Sequence, residues 1–432
     1  MRIALVLHGW PPESMGGTGL YVQALAAALR EEGHELACLS PRIALGPPGV
    51  EEEEGGVIRL RLPPPTRWEQ TWSRPEADAL VRGWLARWRP EVVHVHHLAH
   101  ASHGLLRAAR AEGCRLILTL HDYALPCARG QLVDREGAPC PGPSPERCSP
   151  CLREQAALSP ATARLGARLQ ALPALRQALR ARAAPAGLPL ARVANRLASV
   201  QQALALPHRL LSPSADLARR FAELGLRRPE RCELPLIRPI PPAPDPGQGP
   251  LRLLFASSII PTKGPDRLLR AFQALPAGAA TVSFAGPCPE IDGQPGWAQR
   301  LRGAVEATPG ARWLGPLPPE RLPELLAAHD LLVLPSTWPE NSPLIVREAS
   351  AAGLRLVLPA RGGAGELVPE APRVESEAEL LAALRVELAR GRGRAPPRRW
   401  PSPAAHARWL LEEVYPPGVA AGATGYAWPE PE

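Results

Sequence analysis

The sequence predicts an α/β protein built from two doubly wound parallel sheets, and three observations carry that reading. Strand-length apolar runs such as Arg2 to Leu7 and Leu251 to Ala256 alternate with stretches of helical apolar spacing, the order that builds a parallel sheet. The 432 residues exceed what one ordinary core holds. Seven prolines between Pro235 and Pro250 separate two such alternating series and read as a linker. The expected units are residues 1–237, a linker at 238–250, a second sheet domain at 251–399, a helix at 400–416 and a frayed tail at 417–432.

Each element follows from a local signal. After the first strand, a Pro- and Gly-rich loop with Gly16, Gly17 and Gly19 precedes a helix at Leu20 to Leu29 that ends at Gly33. Glycines there let a phosphate or sugar approach the backbone. The dinucleotide fingerprint is not matched, because the loop is too long and Val22 stands where the third glycine belongs. Leu36 to Leu39 and Val92 to Val95 continue the sheet. His94, His96, His97, His100 and His103 crowd the end of the latter. No carboxylate or cysteine falls at ligand spacing within that run, which favours a polar loop over a metal cluster. Leu116 to Leu120 is a further strand ending in His121 and Asp122. The carboxyl end of a parallel strand is where such sheets bind ligands, so His121 is the preferred functional histidine.

A Cys-rich loop follows at 127–151. Its Cys127, Cys140, Cys148 and Cys151 fit either a structural zinc site or reduced thiols. The tract 153–211 carries nine arginines and one acid, Glu154. It reads as a basic helical surface for an anionic membrane or a phosphorylated acceptor, or as a solvated face. The net charge of +8 says little about partners, because arginine is the default surface residue here. No nucleic-acid module or interleaved aromatics accompany it, so no nucleic-acid partner is expected. No apolar run approaches about 18 residues and the opening MRIALVLHGW is too short for a leader. With eight cysteines and no leader, the expected location is the cytoplasm, with peripheral contact on the inner face of the membrane.

In the second unit the strand Leu251 to Ala256 runs into SSIIPTKGPDRLLRAF. There Lys263, the only lysine in the chain, stands before a helix at Asp266 to Phe272. A cation beside free helix-terminal N–H groups makes an anion site. Strands at Thr281 to Phe284, Arg312 to Leu314, Asp330 to Leu334 and Leu354 to Leu358 follow, then the glycine-rich turn Gly362 to Gly365 and a last helix at Ala404 to Tyr415.

The stretch Ser336 to Gly353, STWPENSPLIVREASAAG, is the chemical centre of the sequence. Ser342 reads as the N-cap of a helix, with Pro343 at its first position and Gly353 past its end. Glu340 precedes the cap, and Glu348 lies about 9 Å along the axis from it at ~1.5 Å per residue. Two carboxylates so spaced read as anchors for hydroxyls at opposite ends of a long ligand, with an anion between them. The alternative is an ordinary surface loop with two solvated glutamates.

The glutamates with seven residues between them in PENSPLIVREASAAG resemble the signature of the retaining glycosyltransferases of family GT4. GGTGLYVQALAAALREEGHE, TLHD at Thr119 to Asp122 and SIIPTKGPDRLLRAF are also similar, in the expected order, and the resemblance covers roughly residues 1–415. It implies the GT-B architecture: two Rossmann-like domains facing across a cleft, with the last helix crossing back to the first. It also implies a hexose moved from a nucleoside-diphosphate sugar to a glycan, lipid-linked or small acceptor, without a divalent metal.

By position, Lys263 would hold the donor diphosphate. Glu348 would bind the ribose and Glu340 the transferred sugar. Backbone from Asn341 and Ser342 to Leu344 and Ile345 would contact sugar and phosphate. Gly16 and Gly17 would approach the phosphate, and His121 would sit by the reacting centre. One departure stands out: the family usually has Gly-Arg where this chain has Ser257 and Ser258, with Arg361 the candidate substitute. A nucleotide-sugar epimerase, a phosphorylase and a degenerate non-catalytic binding protein are the rival readings.

Overall fold

The computed structural model describes residues 1–10, 16–153, 187–289, 294 and 296–417. Residues 154–186 of the expected basic tract and 418–432 of the expected tail lie outside them.

The first sheet has the order β3-β4-β2-β1-β5-β6-β7-β8. Its strands are β1 (Arg2–Val6), β2 (Glu35–Ile43), β3 (Gly49–Glu53), β4 (Val57–Leu62), β5 (Val92–Val95), β6 (Arg115–Thr119), β7 (Arg209–Ser212) and β8 (Glu230–Arg231). Every described pair is parallel except β3–β4, an antiparallel edge that the sequence reading missed. Its residues are polar on one strand, which weakens the apolar alternation. Glu51 and Glu53 of β3 instead pair with Arg61 and Arg59 of β4 at 2.7 and 2.9 Å. Such charge also blunts an exposed sheet edge.

The second sheet runs β11-β10-β9-β12-β13-β14, all parallel. Here β9 is Leu251–Ala256, β10 Ala280–Ala285, β11 Ala311–Gly315, β12 Leu331–Val333, β13 Arg355–Pro359 and β14 Arg373–Val374. Strand order reverses between β1 and β5 in one sheet and between β9 and β12 in the other. The crevice beyond the carboxyl ends at such a reversal is where open α/β sheets take ligands. Both crevices face one cleft, because the loops after β1, β9 and β12 line a single cavity.

Each sheet buries apolar side chains on both faces. The chain then returns. A helix at Pro403–Trp409, continued by a wider turn at Leu410–Val414, packs Ala407, Leu410, Val414 and Tyr415 among Ile3, Leu5, Tyr21 and Leu25 of the first unit. The Pro-rich linker is not a free tether. Ile240 is buried against the second sheet, and the Leu236 N–H donates to Pro401 O on the returning segment at 2.9 Å. The two chain crossings therefore lie side by side. Among the described residues no helix is long and apolar enough to cross a membrane.

The described part of the basic tract is not a free cationic face. Its helix, Leu190–Ala205, pairs Arg192 with Glu69, and it buries Arg196 against the Ala124 carbonyl at 2.8 Å.

Asp330 pins the centre of the second sheet. Fully buried, it accepts from the Arg252 backbone N–H at 3.0 Å, from Arg252 Nη2 at 2.9 Å and from Arg392 Nε at 3.1 Å. These donors hold its carboxyl below the usual carboxylate range despite burial. Removing one partner of a buried pair strands the other charges. Asp330→Ala should therefore destabilise the protein by about 3–5 kcal/mol, read from guanidinium unfolding followed by tryptophan fluorescence.

Candidate active site

The centre of the cleft is built on β12 and the loop behind it. Glu340 is almost fully buried, which excludes the reading as a solvated surface loop. Its Oε1 accepts from Lys263 Nζ at 2.6 Å, Ser336 Oγ at 2.6 Å and Trp338 Nε1 at 2.9 Å, and its Oε2 accepts from Lys263 at 2.8 Å. The Lys263 ammonium also lies 4.7 Å from the centre of the Trp338 ring. Gly362 and Gly363 fix the backbone below. Gly362 has φ +84°, and a Cβ there would meet Glu340 O at 2.2 Å, while the Gly363 N–H donates to Glu340 O at 2.6 Å. Only a glycine lets the chain pass this close.

The helix after Glu340 is Leu344–Ala351, so Pro343 takes the cap position and Ser342 does not cap it. The Ser342 hydroxyl instead accepts from Arg347 Nη1 at 2.6 Å. The reason is competition: Arg347 is fully buried with its guanidinium 5.0 Å from the Trp400 ring, and it claims the nearest hydroxyl. Burial pushes Arg347 down to about 10. Gly353, at φ +79°, lies past the helix end as its sequence position implied.

The helix start is consequently left without a side-chain cap or a first-turn acid. The first helix, Gly17–Glu31, has the same lack, with Gly16 as its cap residue. Gly17 and Gly19 lie inside that helix and not ahead of it. A Cβ on Gly17 would stand 3.5 Å from Leu344 Cδ1, so the two uncapped starts face each other across the cleft. Unpaired N–H groups of two helix ends thus converge on one volume.

Glu348 sits one turn into the second of these helices, nearly buried. Its Oε1 is 3.1 Å from Arg238 Nε, yet neither atom has a hydrogen-bond partner among the described residues. Burial pushes its carboxyl up to about 7, against a smaller downward pull from Arg238.

Of the five histidines, His96, His97, His100 and His103 lie in the loop after β5, and His94 does not. His94 lies within β5, fully buried, with Nδ1 2.9 Å from Tyr415 Oη and Nε2 2.8 Å from Thr119 Oγ1. His96 Nδ1 is 3.2 Å from His121 Nε2, and Tyr21 Oη is 2.9 Å from His406 Nε2. The Tyr21 ring lies 5.4 Å from the rings of both His96 and His121, so it connects the returning helix to the imidazoles at the cleft. Burial lowers His121 to about 4, while Asp122 pulls the other way.

The cleft holds a cavity of about 730 Å³. Gly16, Gly17, His121, Lys263, Glu340, Asn341, Ser342, Leu344, Ile345 and Glu348 all line it. Two of the singled-out side chains are engaged elsewhere. The Asn341 side chain bridges the two units, donating to Leu120 O at 3.2 Å and accepting from Ser214 Oγ, which leaves its backbone for the cleft. Arg361 is turned away: it is half-exposed and paired with Glu375. A second cavity of about 330 Å³ lies in the first unit. It is lined by Trp68, Trp72, Arg74, His97, His100 and His103, and it shares His121 and Asp122 with the cleft.

Cys127, Cys140, Cys148 and Cys151 are free thiols. Among the described residues no three His, Cys, Asp or Glu are arranged to hold a metal. The zinc reading therefore rests on sequence spacing alone.

Comparison with known proteins gives this geometry a family. The profile described as Glycosyltransferase Family 4 matches residues 15–234, and that described as Glycosyl transferases group 1 matches 239–373. The chain belongs to glycosyltransferase family 4. Glycogen synthase of Mycobacterium tuberculosis is 29% identical over 140 residues, 28% of this chain and 33% of its own. D-inositol 3-phosphate glycosyltransferase of Mycobacteroides abscessus is 32% identical over 150 residues, 33% of each chain. The matches thus span about a third of these curated relatives.

Solved structures agree over nearly the whole chain. Sucrose-phosphate synthase of Thermosynechococcus elongatus gives a TM-score of 0.60 at 16% identity, covering 96% of this chain and 94% of its own. HepE of Anabaena, in complex with UDP and glucose, gives 0.55 at 17% identity, covering 96% and 95%. At such identities the likeness is one of fold, the GT-B fold.

Sequence reasoning missed Arg238, the supports Ser336 and Trp338, and the Tyr21–His406 link. Ser336 and Trp338 sit four and two positions before Glu340, where a donor search would have found them. Arg238 lies in a proline run that carries no such signal.

Two pH effects follow. Glu348 has a folded value near 7, above its unfolded 4.5, so the cost of ionising it grows from pH 4.5 to 7 and is full above that. The stability of Glu348→Gln relative to wild type should improve by about 1–3 kcal/mol between pH 5 and pH 8, measured by denaturant titration at both. His121 runs the other way. Its folded value near 4 lies below its unfolded 6.5, so stability falls as pH drops from 6.5 towards 4. His121→Gln should flatten that slope in melting curves taken across the same window.

Proposed function

We propose that this family 4 protein moves a hexose from a nucleoside-diphosphate sugar to a hydroxyl acceptor, with retention of anomeric configuration. The observation that carries the reading is the meeting of two uncapped helix starts in one cavity with Lys263, bound to the buried Glu340, and the buried Glu348. Free N–H groups and a cation attract an anion at that point. Glu348 offers an unfilled acceptor position on one side of it and suits ribose hydroxyls. Glu340, held by Lys263, Ser336 and Trp338, accepts from hydroxyls of the transferred sugar on the other. HepE, in complex with UDP-glucose, and a starch synthase bound to ADP supply precedents for such donors.

Transfer breaks the bond from the anomeric carbon to the diphosphate oxygen and forms one to the acceptor oxygen. Negative charge grows on the departing diphosphate, where Lys263 and the two helix starts stabilise it without reorganising. The acceptor hydroxyl enters from the smaller cavity, past His121 and Asp122, and its proton leaves for the departing diphosphate oxygen. An imidazole kept neutral by burial can orient that hydroxyl without repelling a cationic anomeric centre. The acceptor is a glycan, lipid-linked or small molecule with a sugar-sized end, which about 330 Å³ admits. The chain works in the cytoplasm or at the inner membrane face.

A thermal-shift screen with UDP, GDP, ADP and their sugars tests the donor half. One nucleotide class should stabilise the wild type and not Glu348→Ala. With that donor, Lys263→Ala should lower transfer by at least about 10-fold, the loss of one charge-assisted contact. Turnover within twofold of wild type would remove Lys263 from the mechanism, and conversion of the donor without acceptor would point to an epimerase.

A further inference from the structure

The charge inventory of the cleft leaves a gap. A nucleoside diphosphate brings about two negative charges to the helix starts, yet both Lys263 contacts to Glu340 are already made. Ser257 and Ser258, at the mouth of β9, line the cavity but carry no charge. Arg361 is committed to Glu375 outside the cavity, and Arg347 is buried behind it on Trp400. Among the described residues lining the cavity, Arg238 is the one cation besides Lys263.

Arg238 comes from the segment that joins the two sheets, and its placement is unusual. Its Nη1 donates to Pro319 O at 2.8 Å, tying it to a loop that also lines the cavity. Its Nε stands 3.1 Å from Glu348 Oε1, but the two are not aligned as a hydrogen bond and both count as unsatisfied. The side chain keeps about a fifth of its surface exposed, so it is not locked. A guanidinium in unaligned charge contact loses little when a better donor takes over the carboxylate.

We propose that Arg238 is the second cation of the donor site, held in waiting by Glu348. The inference rests on the donor reading above. Ribose hydroxyls donate to Glu348 and replace Arg238 there. The freed guanidinium turns onto the neighbouring diphosphate, where its planar fork suits two phosphate oxygens. Donor binding thus draws on the interdomain segment, and Arg238 supplies the charge that Ser257 and Ser258 lack.

The test is equilibrium binding of UDP, GDP and ADP, with the matching nucleosides, to wild type, Arg238→Ala, and Arg238→Ala combined with Ser258→Arg. Arg238→Ala should weaken the preferred diphosphate by about 10- to 100-fold and its nucleoside by less than about threefold. Ser258→Arg, placing a guanidinium on the same cavity wall, should restore most of the diphosphate affinity. A purely structural role would weaken nucleoside and diphosphate alike and would not be rescued. Arg238→Gln, which removes the charge but keeps a polar side chain, replaces the alanine variant if that fails to fold. Equal losses for both ligands, or no loss, overturns the role of Arg238 and leaves the donor reading standing. Wild type that binds none of the ligands overturns both.

Discussion

The contact on which the cleft depends is the buried pair between Lys263 and Glu340. It joins the loop after β9 to the loop after β12, the two strands flanking the reversal of the second sheet. Taking two charges out of water is costly, and a pair repays that only with further hydrogen bonds. Glu340 has them from Ser336 and Trp338, and its backbone is clasped by Gly362 and Gly363. The carboxylate is therefore rigid before any ligand arrives. Its preorganisation spares the reacting complex the cost of ordering it.

Around that pair, polar contacts join the two units at the cleft, beside Trp338, which is buried in the core of the first unit. Asn341 reaches Leu120 O and Ser214, and Glu366 accepts from the N–H groups of Ala215 and Asp216 at 2.8 and 2.7 Å. The apolar joint lies behind, where the returning helix packs on the first sheet. Interfaces of this polar kind permit domains to move, whereas a packed apolar joint holds them. Tyr21 and His406 carry the joint forward to the histidines beside the cleft.

The chain also stores neutral imidazoles where charge would be expected. His94, His96 and His121 are stacked on one strand end and its neighbour, all pushed down by burial. Their partners are hydroxyls and each other, with Asp122 paired to His97 at 3.1 Å. This cluster of imidazoles is thus polar without carrying charge, beside the carboxylates that line the cleft.

Much of this was legible in the sequence because its signals are local. Strand runs and helical spacing are readable within ten residues, which is why the β1, β5, β6, β9, β10 and β13 positions agree with the structure to within a residue or two. The spacing of Glu340 and Glu348, and a lone lysine before a helix, are local too. Tertiary structure decided the partners. Lys263 and Glu340 are 77 residues apart, and Tyr21 and His406 are 385 apart. Sheet order alone brings such residues together, and no periodicity encodes it. The same holds for Ser342, whose hydroxyl looked like a cap until Arg347 took it, and for Arg238, a linker residue that only the fold turns into the cleft. The sequence by itself determined which chemistry is present; packing determined which groups meet, because meeting depends on contacts far apart along the chain.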